Sequence, residues 1–192
     1  MKPDQVQMEP WAAELLQKRR ESRGILDPAA YCKPVGEPGQ PEVPLPYKIV
    51  QTPGLVLVLY EENSVHRQIF LDARKTVADP QPRWNGYSTG RWEGDTLVVE
   101  TANFHPNGNP MGGYSTLSDQ NLRLVERFKR VAADTLEYTF TVDNPTMWTR
   151  PWTAVINWKQ SKGELLEYAC HEGNYSLRGM LSAARADEAA SR

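Results

Sequence analysis

The sequence predicts a mainly β protein, an antiparallel sheet closing into a lipocalin-like barrel, with an N-terminal and a C-terminal helix. Alternation of apolar and polar side chains recurs at short intervals from residue 47 onward, punctuated by Gly, Pro, Asn and Asp. Within it, residues 84–105, WNGYSTGRWEGDTLVVETANFH, spell out a hairpin with strands at 87–92 and 96–101. They are joined by Glu93-Gly94-Asp95, where Gly94 can take the positive φ of a tight loop. Good helix formers gather at the two chain ends instead.

Taken in order, residues 9–23 carry Trp11, Leu15 and Leu16 on an amphipathic helix, with Gly24 as a stop. Residues 27–46 hold too much Pro and Gly for helix or central strand and read as an extended segment kept in place by its contacts. The barrel is expected over 47–174. Strands at 47–52 and 55–61 come first, and the apolar run LVLVLY in the second predicts cover on both faces. Residues 66–72 follow, with Val65, Arg67, Ile69 and Leu71 on one face. Residues 122–131 fit a helix through Leu124, Phe128 and Val131, or a strand through Leu122, Leu124, Glu126 and Phe128. The short link Ala132-Ala133-Asp134 favours the strand, as hairpin partner of the cleanly alternating segment 135–142. Further strands are expected at 153–160 and 165–171, and a helical tail at 175–192.

At 192 residues the chain suits one domain. Its 22 basic and 24 acidic residues nearly cancel and are dispersed, which argues against nucleic acid as a partner. The longest apolar run falls far short of the roughly 20 residues of a membrane-crossing helix, so no membrane insertion is expected. Homo-oligomerisation is left open. Only Cys32 and Cys170 are present, compatible either with two buried thiols or with one long-range disulfide suited to an oxidising compartment. No charged and apolar leader opens the chain, and a mature periplasmic or secreted protein would read the same way. The three histidines lack the spacing of a zinc motif, and there is no P-loop, dinucleotide fingerprint or Gly-x-Ser-x-Gly elbow. The expectation is no metal and no cofactor.

Two groups stand out as candidates for proton chemistry. Glu126 shares its strand face with Leu122, Leu124 and Phe128. An inward carboxylate there is either an acid kept neutral by desolvation or one half of a buried ion pair, most obviously with Arg67. His105 lies in NFHPNGNPMGGY, a glycine- and proline-rich loop that would border a cavity, and imidazole titrates near neutrality. A solvated loop histidine is the plainer alternative. His171 reads as a hydrogen-bonded structural group. The six tryptophans can wall a pocket or simply fill a core.

The segments PGLVLVLYE, HRQIFLDAR, WNGYSTGRWEGDTLVVET, LRLVERF, MWTRPWT and YACHEGN together resemble a family of bacterial proteins usually made with a secretory signal. The resemblance covers residues 31–175, and Ala73 stands where that family usually has Gly. It extends to α-pinene oxide lyase, a cofactor-free enzyme that opens a terpene epoxide and fragments its carbon skeleton. What it implies is a periplasmic or secreted lyase or isomerase acting on a small hydrophobic substrate. No active residue is carried over from that enzyme. The chemistry would need a proton donor, for which His105 or a protonated Glu126 are the candidates, and electron-rich faces to stabilise a carbocation. Trp84, Tyr87, Trp92 and Phe104 are the candidate faces, with Arg67 as a further substrate-binding candidate. A lipocalin-like carrier of small hydrophobic ligands is the alternative.

Overall fold

The computed structural model describes residues 7–22, 36–38, 45–73, 81–106, 119–169 and 172–191. Helix α1, Pro10–Glu21, precedes eight strands: β1 Tyr47–Thr52, β2 Leu55–Tyr60, β3 His66–Phe70, β4 Tyr87–Glu93, β5 Thr96–Ala102, β6 Arg123–Ala132, β7 Thr135–Asp143 and β8 Trp152–Lys159. Helix α2, Ser176–Ala190, ends the described chain. The strands form one sheet in sequence order that curls into a half-barrel, with β1 and β8 as its two edges.

Neighbouring strands pair antiparallel at every junction but one. Strand β3 runs parallel to β4, over only Ile69↔Ser88 and Phe70↔Thr89, a departure from the fully antiparallel expectation. Residues 71–86, which connect the two strands, are long enough for the crossover that a parallel neighbour requires, as a tight hairpin turn is not. Because the parallel ladder is so short, the start of β3 and the chain leading into β4 splay apart.

Alternation positions the core. Val56, Val58, Tyr60, Ile69, Leu97, Val99, Leu124, Phe128, Tyr138, Phe140, Val142 and Trp152 are buried in one cluster. Residues 123–132 form a strand, and its outward side chains Arg123, Val125, Arg127 and Lys129 are exposed. Leu55, Leu57 and Leu59, on the outer face of β2, are half-buried, so cover on that side is partial. Gly94 takes φ +62 in the β4–β5 turn. Gly90 is needed for close packing, since a Cβ there would lie 2.9 Å from both Ile69 Cγ2 and Leu71 Cδ2.

Pro10 occupies the first turn of α1, where its missing N–H costs nothing. The helix is tied to the turn after β7: Glu9 N–H donates to the Met147 carbonyl at 2.8 Å and Trp11 Nε1 to the Thr146 carbonyl at 2.9 Å. Helix α2 has no buried residue. The strand expected at 165–171 is not formed over 165–169, where the Leu166 N–H leaves the ladder and donates to Glu61 Oε2 at 2.8 Å. Cys32, Cys170, His171 and residues 107–118, where the sequence predicts a loop, lie outside the described residues, as does most of 27–46.

Ala73 has φ +54, in the left-handed region that favours glycine. Ala73→Gly is therefore expected to stabilise the fold by roughly 0.5–1 kcal/mol, the relief of strain exceeding the added entropy of the unfolded chain. Urea denaturation of the two proteins checks this, and an unchanged or lower midpoint for the glycine variant would contradict it.

Candidate functional site

The curl of the sheet brings one polar side chain from each of six successive strands to a common point. Tyr60 comes from β2, Arg67 from β3, Ser88 from β4, Thr101 from β5, Glu126 from β6 and Tyr138 from β7. Each sits at an inward position of its strand's alternation. At the centre, Arg67 Nε donates to Ser88 Oγ at 2.9 Å, Nη1 to Glu126 Oε1 at 2.9 Å and Nη2 to Thr101 Oγ1 at 2.7 Å. Nη2 also donates to Glu126 Oε2, so the pair is bidentate. Tyr138 Oη donates to Glu126 Oε1 at 2.9 Å. Glu126 thus occupies the ion-pair arrangement with Arg67, and both side chains are buried.

A second carboxylate joins this cluster, one that no periodicity in the sequence signals. Glu37, from the turn at residues 36–38, lies with Oε1 3.3 Å from Arg67 Nη1 and accepts a hydrogen bond from Tyr60 Oη. It is fully buried, and its Oε2 has no partner among the described residues. One guanidinium now faces two carboxylates. Burial pushes the Glu37 carboxyl up, the Arg67 charge pulls it down, the Glu126 charge pushes it up and the Tyr60 hydrogen bond lowers it, leaving it at about 7. Burial opposes the charge on Arg67, but Glu126 and Glu37 outweigh it, and the guanidinium is held more firmly protonated than usual. Burial and the adjacent carboxylates raise the Tyr60 and Tyr138 hydroxyls, so both remain neutral donors.

On the wall of the half-barrel, the splay between β3 and the turn entering β4 leaves a cleft of about 460 Å³. Ser64, Val65, His66, Arg67 and Gln68 line one side, and Arg83, Trp84, Asn85 and Gly86 the other. The turn is stapled to the exit of β5, with Arg83 N–H donating to the Asn103 carbonyl at 3.2 Å and His105 N–H to the Arg83 carbonyl at 2.8 Å. That staple lays the His105 ring on the Trp84 ring, centroids 4.4 Å apart and planes 16° from parallel. The Glu37 turn abuts the same wall: a Cβ on Gly36 would lie 2.6 Å from the Trp84 carbonyl oxygen. Asn85 is buried, and its Oδ1 is without a hydrogen-bond partner among the described residues. A buried acceptor left in this state costs about 1–3 kcal/mol.

The remaining sequence candidates are dispersed. Phe104 is buried in the core, behind Gly86. Tyr87 faces away from the core cluster, stacked on Phe70 at 5.4 Å with the Arg83 guanidinium over its ring. Trp92 is 48 % exposed near the hairpin turn. A larger cleft of about 1210 Å³ lies between the sheet edges, lined by Tyr47 and Ile49 of β1, Leu136 of β7 and Trp158 of β8. Among the described residues no group of three or more His, Cys, Asp or Glu could hold a metal ion. No helix among them is long and apolar enough to cross a membrane. No family model, no curated protein and no solved structure matches the chain.

Two outcomes are expected of the buried cluster. Arg67→Met leaves both carboxylates without their cation and should destabilise the fold by about 3–5 kcal/mol, read from equilibrium denaturation at neutral pH. Glu37 has a folded-state value of about 7 against an ordinary 4.5, so the folded state binds the extra proton. Its contribution is complete below pH 4.5 and is lost as the pH rises through 7, on the order of 3 kcal/mol in all. Denaturation midpoints at pH 5 and pH 8 should therefore differ more for the wild type than for Glu37→Gln; equal differences would refute the assignment.

Proposed function

We propose that the protein is a cofactor-independent lyase or isomerase that opens a compact apolar epoxide in the cleft beside Trp84, with His105 as the proton-transfer group. The observation that carries this reading is the imidazole of His105 lying flat on Trp84: the indole lines the cleft, and His105, not itself a lining residue, reaches a substrate at its rim past that ring. The volume falls within the roughly 300–1,000 Å³ of small-molecule sites. Indole is the best of the aromatic faces for a cation, and an imidazole can act as acid and then as base. In the proposed reaction the imidazolium proton goes to the epoxide oxygen and the C–O bond breaks with its electron pair on oxygen. The carbocation forms beside Trp84, and a proton leaves carbon for the neutral imidazole. Atoms and charges balance with no other reactant.

Glu126, held by Arg67, Thr101 and Tyr138, has the part of fixing Arg67 at the cleft wall. The family resemblance supplies the substrate class, a terpene-sized epoxide, and the periplasmic or secreted location. That same locking of Glu126, which engages one of the two candidate acids, favours a second reading: a carrier that binds small hydrophobic ligands without turnover.

Incubation with α-pinene oxide followed by gas chromatography separates the two. The enzyme reading expects product from the wild type and a loss of 100-fold or more, of the order general acid–base catalysis contributes, in a His105→Ala variant that melts like the wild type. Uptake of α-pinene oxide without product by both proteins would establish the carrier instead.

A further inference from the structure

Strands β1 and β8 are the two edges of the sheet and do not pair with each other. They approach through side chains, the Tyr47 and Trp158 rings meeting edge to face with centroids 4.7 Å apart. The gap between them is the cleft of about 1210 Å³, which shares no lining residue with the cleft beside Trp84. Register identifies its inner wall. Tyr47 and Ile49 stand opposite Tyr60 and Val58, both core residues, and so belong to the inner face of β1. Trp158 stands opposite Leu136, and Leu136 opposite Arg130, so these three share the inner face of β8, β7 and β6. Ile49 is nonetheless 42 % exposed, apolar surface left open where no strand closes the barrel.

Arg130 is the charged residue of that inner face which the folded chain leaves unanswered. It follows Phe128 by two residues, on the side of β6 that carries Leu124, Glu126 and Phe128 inward. Glu126 is held by Arg67, whereas the Arg130 side chain makes no hydrogen bond or ion pair with any described residue. The ladder shifts register directly after Arg130, an irregularity of the kind that re-aims a side chain at a strand end. Asp134 lines the same cleft but is taken up by Lys159 at 3.3 Å and Thr135 at 2.8 Å. What remains is Lys48 and Arg130 against Glu164, a net positive lining.

We infer that the gap between β1 and β8 is a second binding site, one that takes an alkyl carboxylate. The alkyl chain lies along Ile49, Leu136 and Trp158, and the carboxylate on the Arg130 guanidinium, whose planar fork matches it bidentately. A cationic head group would enter against like charge, and a neutral one would gain little from the guanidinium. This site is independent of the epoxide chemistry, since no residue assigned to that reaction lines it.

The test is calorimetry of the full chain at neutral pH with decanoate, decanol and decyltrimethylammonium, alkyl chains that differ in head group. The wild type should bind decanoate about tenfold more tightly than decanol, the scale of one hydrogen bond to a charged group, and decyltrimethylammonium more weakly than either. Arg130→Gln should bring decanoate down to the affinity of decanol and leave decanol unchanged. Ile49→Ser should weaken both alike, by several-fold, through lost apolar contact. No binding of decanoate, equal affinity for acid and alcohol, or a preference that survives Arg130→Gln would overturn the inference. If the glutamine variant does not fold, Ile49→Ser decides: unchanged decanoate binding there would put the ligand elsewhere. A dimer in sedimentation velocity together with no uptake of decanoate would give the gap to a second copy of the chain and overturn the inference as well.

Discussion

The Arg67 guanidinium is the constraint around which this fold closes. Its N–H groups reach Ser88, Thr101, Glu126 and Glu37, while Tyr60 and Tyr138 hold the carboxylates from either side. Six adjacent strands are therefore tied at one point of an otherwise apolar interior. A buried charge of this kind is costly unless every donor is answered, which makes the arrangement intolerant of register error. A slip of one residue in β6 would turn Glu126 to solvent and Arg127 inward, leaving like charges face to face. The cluster thus specifies the register of the sheet as much as it stabilises it.

The same interaction sets the character of the cleft. Arg67 belongs both to the buried cluster and to the cleft lining, and the Glu37 turn that completes the cluster also packs on the carbonyl of Trp84. That wall of the cleft is consequently a fixed cation whose donors are already engaged, next to an indole. The short parallel ladder between β3 and β4 is what opens the space, since a full ladder would have drawn the two walls together.

Glu37 shows where reading along the chain fails. It lies in a Pro- and Gly-rich segment with no periodicity to assign a face, and an isolated Glu between Gly36 and Pro38 carries no local mark of burial. Glu126, by contrast, was legible because Leu122, Leu124 and Phe128 share its parity, and Arg67 because Ile69 shares its own. Stacking of His105 on Trp84 lies between these cases. Both residues belong to the segment flanking the β4–β5 hairpin, yet their contact depends on the Arg83–Phe104 bridge, which periodicity does not encode.

By itself the sequence determined the eight strands and two helices, though it also offered a strand at 165–171 that 165–169 do not form, the β4–β5 hairpin through Gly94, and the inward side chains of β3, β6 and β7. These follow from the two-residue pleat and from turn chemistry, both local. Tertiary structure alone decided that β3 and β4 run parallel, that the sheet stays a half-barrel, that Glu37 makes Arg67 the partner of two carboxylates, and that the His105 ring stacks on Trp84. Each of these depends on where distant segments meet, and an alternating pattern specifies a face without specifying the neighbour that packs on it.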